Sequence, residues 1–394
     1  MVTPLGLDAD LLNACVSCGL CLPHCPTYRA TSEESASPRG RIALMRTVES
    51  GGLEVDDEFV SFMERCVMCR GCETSCPSGV HFGELMEGTR AALSTRGDLQ
   101  PPAWLTPSLR MLKHHRLLLA GSSMLGLLQR ARVLPDGLRR RFGLPAHLPI
   151  RRPALRADAG VANVWLYPGC VMDAWQRDVH VAAAKVIRAT GTKVGLPSSG
   201  GACCGALHVH AGLSAPARLL AESVMASMPG DAPVLVDSAG CGAQMKDYGH
   251  LLGTDAARAF SARVLDVHEW LAMRMSLLPA GPAGRPRERV AVQDPCHLRH
   301  VQRAHQHVRT LLAPYVDVVE LADDGRCCGA GGSYSVTQPE LAGEIRSQKV
   351  AVIAATGCTI VASANPGCSM WLADAMPGVE LVHPVQLVAK ALGL

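Results

Sequence analysis

The sequence predicts a helical N-terminal domain followed by a duplicated α/β domain, an α+β/α/β arrangement, and three patterns predict it. Eight of the 17 cysteines fall within the first 76 residues, in two sets of identical spacing. From Val161 onward, short apolar runs alternate with Ala-rich helical windows, and cysteines stand at the ends of the runs in an order that occurs twice. Between the two lies a cysteine-free, basic, proline-punctuated stretch. At 394 residues the chain is long enough for several domains. The boundaries read as 1–100, 101–160, 161–280 and 281–394. A net charge of only +3 argues against a dedicated nucleic-acid binder.

The N-terminal sets are Cys15, Cys18, Cys21 and Cys25, followed by Pro26, and Cys66, Cys69, Cys72 and Cys76, followed by Pro77. The second set is the first displaced by 51 residues at every position, an internal repeat. Each reads C-x2-C-x2-C-x3-C-P, the spacing with which two-cluster ferredoxins hold 4Fe-4S cubanes. Three thiolates at such gaps converge on one cube, and the fourth, turned away by its proline, serves the other cluster. The expected ligands are therefore Cys15, Cys18, Cys21 and Cys76 for the first cluster, and Cys66, Cys69, Cys72 and Cys25 for the second. Zinc would use two C-x2-C pairs and leaves the third cysteine and the Cys-Pro unexplained. Disulfides lose ground because no secretory signal precedes the first set, which implies a cytoplasmic setting. Between the sets, Ser37-Pro38 opens a predicted helix carrying Ile42, Leu44, Met45 and Val48. Its Arg39 and Arg41 form either a solvated face or a positive charge that offsets a thiolate-bound cluster.

Residues 101–160 hold eleven Arg or Lys against Asp136 and Asp158, so +9 sits in the connector and −6 in the rest of the chain. The run Leu117–Leu128 is too short to cross a membrane, which needs about 20 apolar residues. Two readings stand: a face for anionic headgroups or a partner, or a linker that packs its leucines inward and points its arginines to water. With only Trp104 and Phe142 for stacking, nucleic-acid binding is not expected.

In the C-terminal half, Cys170, Cys203, Cys204 and Cys241 are matched by Cys296, Cys327, Cys328 and Cys368, with Cys-Cys-Gly at the centre of each module. The runs VANVWLY, VLVDSAG, RVAVQD, VDVVEL and TIVASANPG read as parallel strands. Ligands of such sheets sit beyond the carboxyl ends of the strands, where Cys170, Cys241, Cys296 and Cys368 stand. These eight thiols are candidates for a further cluster or metal, against a reading as redox-inert packing. His208, His210, His297 and His300 lie nearby as candidate ligands, proton carriers or supporting groups. The GAGGSY stretch at 329–334 reads as a turn, because no phosphate-loop lysine accompanies it. Cys358 reads as a buried small apolar residue.

The segments CVSCGLCLPHCPTY, SPRGRI, RCVMCRGCETSCPSGV, GGACCGALHVH, SAGCGAQMKDYG, RCCGAGGSY and ANPGCSMWL together resemble the glycolate oxidase iron-sulfur subunits over essentially the whole chain. The resemblance implies a ferredoxin-type two-[4Fe-4S] domain joined to a duplicated cysteine-rich (CCG) domain. It implies an electron-transfer role, with FAD and glycolate oxidation to glyoxylate on a partner flavoprotein subunit of a hydroxyacid dehydrogenase complex. A quinone or other acceptor would follow, with peripheral contact at the inner face of the cytoplasmic membrane. No catalytic residue is expected in this chain, which has no G-x-G-x-x-G fingerprint and no obvious base and cation for a hydroxyacid. Related subunits of anaerobic glycerol-3-phosphate or lactate dehydrogenases are the alternative, and a redox-sensing iron-sulfur scaffold is a different class. Heterodisulfide reductases carry an additional cysteine where this chain has Gln244 and Trp371, a departure from their pattern.

Overall fold

The computed structural model describes residues 4–141, 144–198, 201–280 and 287–394. Phe142 and the side chains of Asp136, Arg140 and Arg141 lie outside the described residues.

The regular structure of residues 4–100 is all helix, separated by loops, with no strand among the described residues. The predicted helix runs Pro38–Glu49, and the Ser37 hydroxyl caps it by accepting from the Gly40 N–H at 3.0 Å. Its Ile42, Met45 and Val48 meet Phe59 and Met63 of helix Asp57–Glu64 and Leu85, Met86 and Leu93 of helix Phe82–Arg96 in one core. That core flanks both cysteine loops, so apolar burial holds the loops in place.

The C-terminal half contains two four-stranded parallel sheets. In the first, β1 (Val164–Tyr167), β2 (Val194–Gly195), β3 (Val234–Val236) and β4 (Val264–Asp266) take the order β2-β1-β3-β4. In the second, β5 (Arg289–Gln293), β6 (Asp317–Glu320), β7 (Ile360–Ser363) and β8 (Glu380–Val382) repeat it as β6-β5-β7-β8. The chain order reverses between β1 and β3, and between β5 and β7, which makes the crevice beyond those strand ends the natural ligand position. Five strands coincide with the predicted runs. The other three, β2, β4 and β8, are two or three residues long and too short to show periodicity. One apolar core runs through both modules: helix Arg177–Ala189 of the first packs on helix Pro384–Leu392 of the second, burying Val186, Ile187, Val385 and Val388 together.

The connector forms helices Leu105–Met111, His115–Arg130 and Asp136–Arg141. Leu105, Leu109 and Leu112 turn inward onto Cys170 and Cys203 of the first module. Helix 115–130 turns only part of its apolar surface inward: Leu118, Leu119 and Leu125 are half-buried, and Leu118 packs on the same cluster. Its buried residues are Ser122 and Gly126, while Leu117, Met124, Leu127 and Leu128 are exposed. The Trp175 indole N–H donates to Ser122 Oγ at 3.0 Å, and Gly126 packs so close to the Leu148 carbonyl that a Cβ there would lie 2.9 Å from it. Small residues permit that approach, and Leu117, Leu127 and Leu128 on the opposite face are left outside.

Candidate metal centres

Both N-terminal cysteine loops contain two residues with left-handed backbone, again 51 positions apart: Ser17 (φ 57°) and Gly19 (φ 85°) in the first, Met68 (φ 60°) and Arg70 (φ 58°) in the second. These residues alternate with the cysteines and curl each loop back on itself. For Met68 and Arg70, residues with a Cβ, the conformation costs roughly 1–3 kcal/mol each. The glycine of the second loop stands one place later, at Gly71, where helix Gly71–Thr74 begins.

The second set forms one buried group. Burial and the neighbouring Cys69, Cys25 and Cys66 together push the Cys72 thiol well above its ordinary range. Cys25, extended at the start of helix Pro26–Thr31, therefore reaches the second set despite its place in the first. Thiols that raise one another in this way suit cationic iron, which removes the repulsion as the thiolates bind. The Met68 N–H donates to Cys66 Sγ at 3.4 Å, a contact of the kind that tunes cluster potentials. In the first set Cys21 is pushed up to about 11, chiefly by burial, with Cys25 and Cys15 adding to it. Cys76 packs on the same core as Cys15 and Cys21. Cys18 is exposed, flanked by exposed Val16 and Leu20.

Three arginines hold these loops by carbonyls in or just before them, and a fourth holds the segments beside them. Arg46 donates to the carbonyls of Leu12 and Cys15, and Arg90 to those of Met63 and Cys66. The acceptors are 51 residues apart, yet the donors are 44 apart, a difference of seven residues or about two helical turns. Arg39 donates to the Ser17 carbonyl at 3.1 Å and pairs with Glu34. Arg41, only 1% exposed, donates to the Phe62 and Ala36 carbonyls, and Ala36 lies beside the Cys25 thiol. Arg41 is thus buried, whereas Arg39 stays at the surface with its guanidinium tied to Glu34 and the first loop. The sequence repeat missed Arg46 and Arg90 because the helices carrying them are out of step with the loops.

In the first CCG module Cys170 hydrogen-bonds Cys203 and Cys204 hydrogen-bonds Cys241, with the buried rings of Tyr167 and Tyr248 against them. The bond to Cys170, helped by one to His208, holds the Cys203 thiol down at about 5. In the second module Cys296, Cys327, Cys328 and Cys368 form a continuous hydrogen-bonded chain. Asn365 Nδ2 donates to Cys368 Sγ at 3.4 Å, and the Trp371 indole N–H to the Cys328 carbonyl at 3.1 Å. Both CCG glycines are left-handed, Gly205 at φ 87° and Gly329 at φ 84°. Both also press against a later helix, Ser214–Ser227 and Pro339–Ala355, so that a Cβ would lie 3.2 Å from the Ala217 carbonyl and 2.6 Å from the Ala342 carbonyl. Among the described residues, no three Cys, His, Asp or Glu side chains are arranged to hold a single metal ion. Cys358 is buried and precedes β7, at the opposite end of the sheet from the other thiols.

The two halves of the chain meet at the second cysteine loop. The Cys69 thiol hydrogen-bonds Cys327, and that bond together with burial pushes it well up. Around this contact, His297 Nε2–H donates to the Met68 carbonyl at 2.9 Å, His300 Nδ1 pairs with the Thr74 hydroxyl at 2.8 Å, and the Tyr334 hydroxyl donates to the Arg65 carbonyl at 3.1 Å. Burial lowers the His297 and His210 pKa values and takes His300 down to about 4, which keeps these rings neutral near pH 7. Arg90 extends the clasp to the first module through the His210 carbonyl at 2.7 Å. The glycine-rich turn is the joint: a Cβ on Gly331 would lie 3.0 Å from Val67, and one on Gly332 would lie 2.5 Å from Leu207. Three of the four singled-out histidines thus join domains, and His208 faces Cys203.

Residues 11–80 match the 4Fe-4S dicluster domain, and residues 164–246 and 290–373 each match the cysteine-rich domain. The probable glycolate oxidase iron-sulfur subunit of Bacillus subtilis is 31% identical over 425 residues, covering 98% of this chain and 95% of that protein. The glycolate oxidase iron-sulfur subunit of Escherichia coli is 32% identical over 401 residues, 98% of this chain and 96% of that protein. A subunit of the dihydromethanophenazine:CoB–CoM heterodisulfide reductase of Methanosarcina mazei is 27% identical, over 97% of this chain and 94% of that protein. With the duplicated domains, the cysteine pattern and two end-to-end matches above 30% identity in agreement, the chain belongs to the family of glycolate oxidase iron-sulfur subunits.

Proposed function

We propose that this chain is the electron-transfer subunit of a flavin-dependent glycolate-oxidising complex, taking electrons from a partner flavoprotein that carries FAD and passing them to a membrane quinone. The observation that carries the reading is the continuity of the thiols. Cys21 adjoins Cys25, Cys25 adjoins Cys69 and Cys72, and Cys69 hydrogen-bonds Cys327 of the second CCG module.

Bound at Cys15, Cys18, Cys21 and Cys76, and at Cys66, Cys69, Cys72 and Cys25, two [4Fe-4S] clusters would supply one-electron transfer. The chain's own residues set how that transfer is arranged. Val16, Cys18 and Leu20 present the first loop at the surface, the side suited to a redox partner. The second loop is closed off from water by His297, Tyr334 and the 329–334 turn, which favours passage inward over leakage to solvent. Arg46 and Arg90 fix the carbonyls of Cys15 and Cys66, so neither loop has to reorganise when charge arrives. The CCG thiols beyond Cys327 are the place for a further redox group.

The test is anaerobic purification with iron and sulfide counts, EPR of the reduced protein and identification of the co-purifying flavoprotein. About eight iron atoms support two cubanes, and about twelve or more add a loaded CCG module. Glycolate should bleach the cluster absorbance only when the flavoprotein is present. Fewer than about four iron with stoichiometric zinc would overturn the cluster assignment, and bleaching by lactate or glycerol 3-phosphate but not by glycolate would overturn the substrate.

A further inference from the structure

We infer that the connector, residues 101–135, is a docking face for an anionic lipid bilayer. This rests on the reading of a membrane-borne acceptor and names the surface that would meet it. Helix His115–Arg130 half-buries Leu118, Leu119 and Leu125 on its inner face and still leaves an apolar stripe on its outer one, unlike an ordinary surface helix, whose outer face is polar. Ser122 and Gly126 face the protein, while Leu117, Met124, Leu127 and Leu128 are 58%, 58%, 49% and 38% exposed. At positions 117, 124, 127 and 128 they form one stripe along the helix.

The charges around the stripe decide what covers it. From Pro101 to Pro135 the sequence contains no Asp or Glu. Arg110, Lys113, Arg116, Arg130 and Arg132 are all exposed, and none forms an ion pair with a described residue. Two arginines farther along the connector are engaged instead: Arg139 pairs with Asp374, and Arg152 donates to the Ala174 carbonyl. Apolar side chains flanked only by cations match the acyl boundary and the phosphates of an anionic leaflet. A protein partner would have to bring carboxylates alongside one greasy strip. No helix among the described residues is long and apolar enough to cross a membrane, so the contact is one that lies on the surface. Beneath it, Leu105, Leu109 and Leu112 of the same connector cover Cys170 and Cys203.

The experiment is flotation of the anaerobically purified, iron-loaded protein with vesicles of phosphatidylcholine alone or with about one third phosphatidylglycerol. Binding is expected to the anionic vesicles and to fall steeply with added salt. Arg116→Gln with Arg130→Gln should weaken it by roughly 25-fold, at about fivefold per cation. Met124→Ser with Leu127→Ser should abolish it while leaving the cluster absorbance unchanged, which separates lost docking from lost folding. Equal binding to neutral vesicles, no binding at low salt, or variants that float like the parent would each overturn the proposal. So would loss of flavoprotein co-purification, rather than of flotation, in these variants. Flotation needs no glycolate, so a protein that floats but accepts no electrons from the flavoprotein sinks the proposed function and leaves the lipid face standing.

Discussion

Replacing Arg90 by Met tests whether the clasp between domains is as tight as its hydrogen bonds indicate. The Arg90 guanidinium, 6% exposed, donates to the carbonyls of Met63, Glu64 and Cys66 at 2.7–3.1 Å and to that of His210 at 2.7 Å. Four charge-assisted bonds at about 1.5–3 kcal/mol each give a gross loss of roughly 6–12 kcal/mol. Removing the charge also removes its burial cost, several kcal/mol. The net expectation is a destabilisation of about 3–5 kcal/mol. In an N-terminal domain of this size that lowers the midpoint for thermal loss of the cluster absorbance by about 10 °C or more. The assay is an anaerobic melt followed at the cluster absorbance at one scan rate, with EPR of the reduced protein beside it. Arg90→Lys, which keeps the charge but not the fork, should lose roughly half as much. An Arg90→Met protein that melts within a degree or two of the parent, with both EPR signals intact, would refute the reasoning.

Other outcomes follow from the same geometry. Cys25→Ala should remove the EPR signal of the second cluster and spare the first, with iron falling by about four atoms; equal loss of both signals would count against crossed ligation. Gly329→Ala, at φ 84° and with a Cβ 2.6 Å from the Ala342 carbonyl, should cost about 2–4 kcal/mol in urea unfolding. Gly357→Ala, at φ 64° in open space, should cost only about 1 kcal/mol, and similar losses at both sites would refute the close-approach argument. His180 is fully buried; burial alone would lower its pKa, but the Asp237 carboxylate at 2.6 Å, aided by Asp173, raises it above 6.5. His383 and His268 adjoin the same group, and Arg177 opposes the shift. A raised folded-state pKa gives stability that is full below about pH 6.5 and lost as pH climbs through the folded value. The stability advantage of the parent over His180→Gln should therefore shrink as pH rises above about 6.5, and an advantage that grows with pH there would contradict the sign.

Much of the chain was legible because its cysteines repeat. A 51-residue displacement and a second one near 125 residues announced two helical cysteine loops and two α/β modules, and the sheets repeat their strand order just as the cysteines repeat theirs. The crossing of Cys25 toward the second set is an expectation from the ferredoxin spacing and the Cys-Pro step; Cys25 lies beside Cys72 as well as beside Cys21 of its own set, and the Cys25→Ala protein tests it. The connector was the least legible part. Composition shows that it is basic and greasy, but which side chains a helix turns inward depends on what it meets. Here Trp175 and the Leu148 carbonyl place Ser122 and Gly126 on the inner face beside Leu118 and Leu125, and leave Leu117, Leu127 and Leu128 outside.

Local rules were therefore enough wherever function depends on spacing along the chain: the thiol triplets, the Cys-Pro turns, the Ser37 cap and the strand ends. They could not reach contacts between residues far apart in sequence. That Cys69 touches Cys327, that His297, His300 and Tyr334 close over the second loop, and that Gly331 and Gly332 let three domains meet were decided only by the tertiary structure. The physical reason is that a thiol or an imidazole has the same local preferences wherever it packs. Burial against a distant partner gives it a role, and no spacing within one segment encodes that partner.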